Sequence, residues 1–129
     1  MAQIKIYGIH SKLNPIKQAL SQTIHACVVE VLGLPEEKRF HRFFPMEAED
    51  MFYGAGRSDA YTILEIMLIE GRSVESKKQL IKRLFTEIES QLNINPNDLE
   101  ICIQEAPASN WGFRGMTADE MVLGYEIEV

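Results

Sequence analysis

The apolar residues in the first half of this chain recur sixty positions later in the second half. Leu20 is matched by Leu80, and the same shift relates six further apolar pairs. A unit of this length holds a strand, a helix and a second strand, and parallel pairing of its strands requires a right-handed crossover. The repeat therefore predicts an α/β (α+β) fold, in which two β-α-β units form a four-stranded mixed sheet with two helices on one face. The further pairs are Ile4/Leu64, Ile6/Ile66, Ile24/Leu84, Val28/Ile88, Leu32/Leu92 and Leu34/Ile94.

Local signals place the elements of the first unit, which we assign to about residues 2–46. Alternating apolar residues near the N-terminus predict a first strand. Asn14-Pro15 predicts the start of a helix, since Asn caps helices and Pro fits the first helical position, and Gly33 predicts its end. We expect a second strand at residues 39–44 and then a loop at residues 47–58.

The second unit is assigned to about residues 61–105. A nearly continuous apolar run at residues 61–69, rich in branched side chains, predicts the third strand. Ser73 is a suitable cap for the second helix. Alternating apolar residues at 99–103 predict the fourth strand.

The last part of the chain, residues 106–129, follows the two units within the same single domain. Its glycine and tryptophan content indicates a loop. Thr117 and Glu120 have the spacing of a capping box and predict one short helical turn. Alternating residues at 125–129 predict a short terminal strand, which could pair with the sheet edge of a neighbouring subunit.

One face of the predicted sheet carries apolar side chains that no other element of the chain is expected to cover. The helices cover the face that carries Ile4, Ile6, Leu64, Ile66 and Leu68, and no third element is expected over the other face. That second face is too apolar to remain in water, so the chain is expected to self-associate. Its residues are Tyr7, Ile63, Met67 and Ile69, beside Lys5, Glu65, Glu100 and Gln104.

The charge of the chain excludes several classes of partner. A net charge of −6 and a pI near 5.1 disfavour binding to nucleic acid and to anionic membranes.

No apolar run reaches the length that spans a bilayer, and the N-terminus has no signal-peptide pattern. Cys27 and Cys102 form neither a disulfide framework nor a metal motif, and the three histidines lack metal-ligand spacing. We expect a cytoplasmic protein without metal or cofactor.

Three segments carry a resemblance to a known family. They are residues 55–58 before the third strand, residues 70–73 before the second helix, and Asn110-Trp111-Gly112-Phe113 after the fourth strand. In this order and placement they resemble the tautomerase superfamily (MIF-like fold), nearest to its long-chain branch of malonate semialdehyde decarboxylase and cis-3-chloroacrylic acid dehalogenase. The resemblance implies a homotrimer, in agreement with the argument from the uncovered sheet face.

The resemblance also implies an amine at the N-terminus as the catalytic group. In the family the initiator Met is removed and the amine of an N-terminal proline transfers protons. An α-amine has a pKa of about 8, which burial and nearby cations lower towards neutrality. Here the equivalent residue is Ala2, which provides a primary amine only if Met1 is removed.

The resemblance further implies that Arg72 binds the carboxylate of a substrate. A cation just before a helix has no favourable interaction with the helix dipole, whereas a guanidinium suits a carboxylate. The alternative is an exposed charge with no ligand. Relatives of the decarboxylase type carry another arginine two residues earlier, where this chain has Glu70.

The aromatic residues after the fourth strand have two interpretations. By resemblance Trp111 and Phe113 line the substrate pocket, and alternatively they fill the sheet edge or a seam between subunits. Arg114 is a further candidate for contact with an anion. The leading hypothesis is a tautomerase-like protein that binds a small carboxylated 2-oxo or unsaturated acid between subunits. The alternative is a non-catalytic trimeric binding protein on the same scaffold.

Overall fold

The computed structural model describes residues 2–121 and 124–129. Its sheet has the strand order β2-β1-β3-β4, and the elements are, in chain order, β1 (Ala2–Ile9), α1 (His10–Leu13), α2 (Lys17–Leu32), β2 (His41–Met46), β3 (Thr62–Ile69), α3 (Val74–Leu92) and β4 (Leu99–Ala106). β1 is parallel to β2 and β3 is parallel to β4, whereas β1 and β3 pair antiparallel with Ile4 opposite Ile66. The predicted fold of two β-α-β units is confirmed.

The core lies between the sheet and the two long helices. Apolar residues of β1 and β3 that point towards the helices are buried, as the alternating pattern predicts. Residues that correspond by the sixty-residue shift are buried alike: Leu20 and Leu80 are both fully buried, and so are Ile24 and Leu84. The second helix starts at the Ser73 cap, whose hydroxyl oxygen accepts the backbone N–H of Ser76 at 3.1 Å.

The repeat extends beyond the strands into the loops that follow them. A single helical turn at Ala48–Asp50 follows β2, and another at Ala108–Asn110 follows β4. The next residue in each unit, Met51 or Trp111, donates its backbone N–H back into that turn and is 8% exposed. The two loops are therefore equivalent, and each turns one apolar side chain onto the sheet.

The two loops cover both ends of the second face of the sheet, so the expectation that nothing covers this face is wrong. Met51 and Tyr61 cover Ile9 at one end of this face, and Trp111 covers the fully buried Ile69 at the other end. The centre stays open, because its polar residues are only partly buried or exposed. The uncovered area is thus smaller than the sequence suggests.

Several element boundaries also differ from the predictions, among them both ends of β2, which lies two residues later than expected. Helical backbone begins at His10 and continues through Asn14, which has φ −56° and provides no side-chain cap. β2 runs to Met46 and includes Pro45. Proline has no backbone N–H to donate, and it is tolerated here because β2 is an edge strand with no neighbour on its outer side.

The C-terminal part differs as well. The predicted turn is present at Ala118–Glu120, but Thr117 makes no side-chain cap. Residues 124–129 form no strand with the sheet of this chain, although Tyr125 and Ile127 are partly buried while Glu126 and Glu128 are exposed. No helix in the described part of the chain is both long and apolar enough to cross a membrane.

Candidate functional site

A narrow cleft lies beside Ala2 at the start of β1. The chain segment between α2 and β2 forms one side, and a hairpin of β5 (Gly112–Phe113) and β6 (Met116–Thr117) forms the other. The space inside is about 10 Å³, which is room for about one water molecule. The lining residues are Ala2, Leu34, Lys38, Phe40, Phe113, Arg114 and Tyr125.

The hairpin presents Arg114 in an unusual backbone conformation. Phe113 pairs with Met116, so that Arg114 and Gly115 form a two-residue turn with φ values of 55° and 79°. Positive φ at both positions is typical of a type I′ turn, which favours Asn, Asp or Gly. For a residue with a Cβ atom, this conformation is destabilising by about 1 kcal/mol. The guanidinium carbon of Arg114 lies 5.6 Å from the centre of the Phe113 ring.

Sequence reasoning missed Lys38, Phe40 and Tyr125 as residues of this cleft. The backbone N–H of Lys38 donates to the carbonyl of Pro35 at 3.0 Å, and the carbonyl of Phe40 accepts the N–H of Ile4 at 3.0 Å. A signal was present, since parallel pairing of β1 and β2 places both strand starts at the same edge of the sheet. The residues before β2 therefore had to lie near Ala2.

Arg72 is a buried cation, and the alternative of an exposed charge is wrong. Its side chain is in the turn between β3 and α3, and the residue is 5% exposed. Nη1 donates to the carbonyl of Ile69 at 3.0 Å, while Nε and Nη2 are buried without a partner among the described residues. Burial lowers the pKa of Arg72, an effect that Tyr125 and Glu105 oppose. Two buried donor nitrogens thus remain available to an acceptor.

Residues 124–129, which we call the C-terminal strap, cross the turn that carries Arg72. The carbonyl of Val129 accepts the N–H of Ser73 at 2.9 Å, and Ile127 packs against Gly71. Burial raises the pKa of Tyr125, and the charges of Arg72 and Arg114 oppose that rise. The strap therefore links the Ala2 cleft to the Arg72 turn.

Trp111 lies next to the cleft but does not line it. Its ring packs with Ile69 and Ala118 on the second face of the sheet, and its indole N–H donates to the carbonyl of Ala106 at 3.3 Å. Phe113 and Ile127 are partly buried against the same cluster. Trp111 thus packs on the face of the sheet over Ile69, whereas Phe113 lines the cleft.

The corresponding end of the second unit is filled by side chains. Thr62, which matches Ala2 by the sixty-residue shift, is buried. The hydroxyl of Tyr61 donates to Glu100 at 2.6 Å, and burial followed by this hydrogen bond raises the pKa of Tyr61 to about 12. Asp98 accepts both the N–H and the hydroxyl of Ser58, at 2.6 and 2.7 Å. The two strand starts therefore differ, although the fold repeats.

The described residues contain no group of three His, Cys, Asp or Glu side chains that could hold a metal ion. Cys27 and Cys102 are free thiols, and burial raises the pKa of Cys27 to about 11.

Comparison with known proteins identifies the family. Residues 38–114 match the family model described as tautomerase enzyme, so this chain belongs to the tautomerase family. YusQ of Bacillus subtilis strain 168, a probable tautomerase, is 28% identical over 101 residues, which cover 74% of this chain and 80% of YusQ. The 2-hydroxymuconate tautomerase of Comamonas testosteroni is 30% identical over 57 residues, or 44% of this chain and 90% of that enzyme.

Solved structures share the fold. Malonate semialdehyde decarboxylase has a TM-score of 0.80 and 22% identity, covering 93% of this chain and 99% of that protein. Native fused 4-OT has a TM-score of 0.83 and 21% identity, covering 92% and 98%. Two further structures of this fold, R7 fused 4-OT and Q0 fused 4-OT, are an asymmetric and a symmetric trimer respectively.

Proposed function

We propose that this protein binds a small carboxylated acid, either a 2-oxo or an unsaturated acid, and catalyses keto-enol proton transfer. After removal of Met1, which lies outside the described residues, the α-amine of Ala2 accepts the hydroxyl proton of the enol. The same amine delivers a proton to the adjacent carbon, so that the enol becomes the ketone with no change in composition. The proposed reaction uses no cofactor and takes place in the cytoplasm, with both thiols reduced.

The observation that carries this proposal is the convergence of Ala2, Phe113 and Arg114 on one cleft. Arg72, linked to this cleft through Tyr125, keeps two buried donor nitrogens that have no partner among the described residues. Buried polar groups are normally paired, and a guanidinium with unpaired donors suits a carboxylate. We assign Arg72 and Arg114 to carboxylate binding and Phe113 to contact with the carbon skeleton. Trp111 supports these residues from behind the cleft.

We further propose that the protein is a homotrimer and that a neighbouring copy completes the cleft. The open centre of the sheet forms a hollow of about 80 Å³, lined by polar residues and Met67. A second copy placed on this face would remove its apolar part from water. Sedimentation at micromolar concentration is expected to show a trimer, and a monomer would contradict this assembly. The residues around the hollow are Gln3, Lys5, Glu65, Met67 and Gln104.

The decisive experiment compares three forms of the N-terminus. Intact mass first establishes whether Met1 is absent from the native protein, and turnover of phenylpyruvate or 2-hydroxymuconate is then measured. We expect the Ala2→Pro variant to be faster than the native protein, because the proline supplies a secondary amine. We expect Ala2→Leu, whose larger side chain favours retention of Met1, to be inactive. Native protein with a free Ala2 and turnover equal to buffer would disprove the proton-transfer step.

The alternative function is a binding protein without catalysis. The observation that favours it is the alanine at position 2, where the family resemblance implies a proline. A ligand that binds only the folded state raises the melting temperature by mass action. A melting temperature that rises with carboxylates, together with no turnover in protein lacking Met1, would establish this alternative.

A further inference from the structure

An ion pair between α3 and β4 lies at the end of the sheet where the chain turns through Arg72. Glu105 of β4 is opposite Leu68 of β3, whose side chain is fully buried under the helices. Residues directly opposite each other in a sheet point to the same face, so Glu105 also points towards the helices. There Nζ of Lys77 donates to Oε1 of Glu105 at 2.7 Å. The two side chains are 24% and 20% exposed, so salt screens this pair only in part.

Arg72 and Glu105 carry unpaired polar atoms of opposite kinds. The described residues include three buried side-chain nitrogen or oxygen atoms without a partner, namely Nε and Nη2 of Arg72 and Oε2 of Glu105. Burial lowers the pKa of Arg72, whereas Tyr125 and then Glu105 raise it, so the carboxylate lies within electrostatic reach of the guanidinium. Two donors and one acceptor of opposite charge are therefore neighbours that do not bond to each other.

The partner of Glu105 is the less expected of the two cations. A guanidinium forms two parallel hydrogen bonds with a carboxylate, which the compact ammonium of a lysine cannot match. Yet no ion pair joins Arg72 to an acidic side chain in the part of the chain that the structure describes. Its Nη1 donates to the carbonyl of Ile69 instead, at 3.0 Å. Lys77 thus holds the carboxylate that would otherwise suit Arg72.

We propose that Lys77 is a positioning residue for the ligand site: by holding Glu105, it prevents this carboxylate from pairing with Arg72 and keeps the guanidinium free for a ligand. The inference rests on the proposed function, in which Arg72 binds the carboxylate of a small acid. It adds the pair of residues that keeps Arg72 available.

The physical basis is competition for one guanidinium. A carboxylate on the same chain is always close to Arg72, so once paired it would have to be displaced by every ligand that binds. A hydrogen bond to a charged group corresponds to about tenfold to a hundredfold in affinity. The bond from Lys77 to Oε1 of Glu105 removes this competitor.

The first test is the variant Lys77→Met, which removes the ammonium and keeps an unbranched side chain suited to a helix. We expect calorimetric titration with crotonate, an unsaturated acid with one carboxylate, to show binding about tenfold or more weaker than in the native protein. Lys78→Met, at the exposed neighbouring position on α3, loses the same charge and should keep the native affinity. The loss in Lys77→Met should persist at high salt, which screens exposed charges more than buried ones.

The double variant Lys77→Met/Glu105→Gln tests the identity of the competitor. Glutamine keeps the shape of Glu105 without its charge, so Arg72 should become free again and crotonate affinity should return to near the native value. A role of Lys77 in the packing of α3 alone would not be rescued in this way. Circular dichroism of each variant confirms that it is folded.

Nuclear magnetic resonance provides a readout that needs no ligand. The Nε–H signal of Arg72 can be assigned by its absence from the spectrum of Arg72→Met. We expect this proton to move downfield in Lys77→Met, because it then donates to Glu105, and to stay at its native position in Lys78→Met and in the double variant.

The outcomes separate this inference from the function on which it rests. An unchanged Nε–H signal and native crotonate affinity in Lys77→Met would overturn the role of Lys77 and leave carboxylate binding intact. Weaker binding that Glu105→Gln does not restore would also overturn it. A downfield shift in Lys77→Met, together with no crotonate binding by the native protein, would support the competition for Arg72 and overturn the proposed function.

Discussion

Gly71 and Ile127 are in direct contact, and the contact exists only because residue 71 has no side chain. A Cβ atom at position 71 would lie 2.6 Å from Cγ2 of Ile127, far inside van der Waals distance. Gly71 also has a φ of 141°, which other residues rarely adopt. This contact fixes the C-terminal strap on the turn that holds Arg72, and the first prediction follows from it.

We expect Ile127→Ala to release the strap and expose Trp111. Ile127 packs on the cluster that contains Trp111, the one tryptophan of the chain. Loss of this packing should shift the tryptophan emission to longer wavelength and accelerate hydrogen exchange at Ser73, whose N–H is bonded to Val129. Val129→Ala is the control, because it keeps the carbonyl that accepts this bond.

Gly71→Ala should release the strap in the same way, by steric clash rather than by loss of contact. Gly56→Ala is the matched control, since Gly56 also has positive φ, at 88°, but nothing lies within 4 Å of an added Cβ. Backbone strain alone would affect both variants. Equal emission spectra in the two glycine variants would contradict the proposed contact.

We expect Arg72→Met to stabilise the protein in the absence of ligand. The substitution removes a buried guanidinium, two of whose nitrogens have no partner in the described part of the chain, and keeps an unbranched side chain. Buried polar groups without partners cost about 1–3 kcal/mol, so the free energy of unfolding in urea should rise by about 1 kcal/mol after loss of the bond to Ile69. The variant should also fail to bind crotonate.

The control for this experiment is Arg83→Met. Arg83 is 41% exposed and pairs with Glu30 and Glu87 on the helical face. Exposed ion pairs contribute little to stability, so this variant should unfold as the native protein does and keep its ligand affinity. A large loss of stability in Arg72→Met would show that the cation is structural.

The lowered pKa of His41 predicts that the free energy of unfolding decreases in mild acid. Burial, followed by the charges of His25 and Arg39, lowers the pKa of His41 from 6.5 to about 4, and its Nδ1 is 2.8 Å from the hydroxyl of Ser21. Between these two pH values the unfolded chain binds a proton that the folded chain does not. The stabilisation is complete above pH 6.5 and is lost as the pH falls towards 4, up to about 3 kcal/mol.

Urea unfolding at pH 7 and at pH 4.5 tests this expectation. His41→Gln, which keeps a polar group near Ser21, should reduce the difference between the two pH values. His10→Gln is the control, because His10 is exposed. The prediction would be wrong if native protein and His41→Gln lost the same stability on acidification.

Asp98 is expected to anchor the loop before β3. It is 8% exposed and accepts two hydrogen bonds from Ser58, so Asp98→Ala leaves that N–H without an acceptor. The expected loss of stability is about 1–3 kcal/mol. Asp98→Asn should lose less, since its amide oxygen still accepts the N–H. Asp59→Ala, at an exposed neighbour, should change little, and an equal effect there would contradict the anchoring role.

The sheet could be predicted because its information is local and periodic. Leu20 and Leu80 lie on apolar stripes at helical spacing, and Ile4 and Leu64 lie on alternating strands. These patterns determine which face of each element is buried. The same patterns do not show whether loops fold over the opposite face, so the burial of Ile69 under Trp111 was missed.

The candidate site was predicted only in part, for a different physical reason. Phe113 and Arg114 lie on the hairpin that reaches the cleft, whereas Lys38 belongs to a connection without any motif of its own. The burial of Arg72 depends on a strap that follows it by more than fifty residues. No periodic pattern encodes such a contact, because it depends on where the chain returns after β6.

The hydrogen bonds around Tyr61 and Asp98 distinguish the strand starts of the second unit from those of the first. The repeat has two equivalent strand starts, and these bonds connect the side chains around one of them, whereas the other lies beside the cleft. The sixty-residue repeat of the fold thus does not extend to the polar contacts at the two strand starts. The last part of the chain, which follows the second unit, instead supplies the far wall of the cleft and covers the turn that carries Arg72.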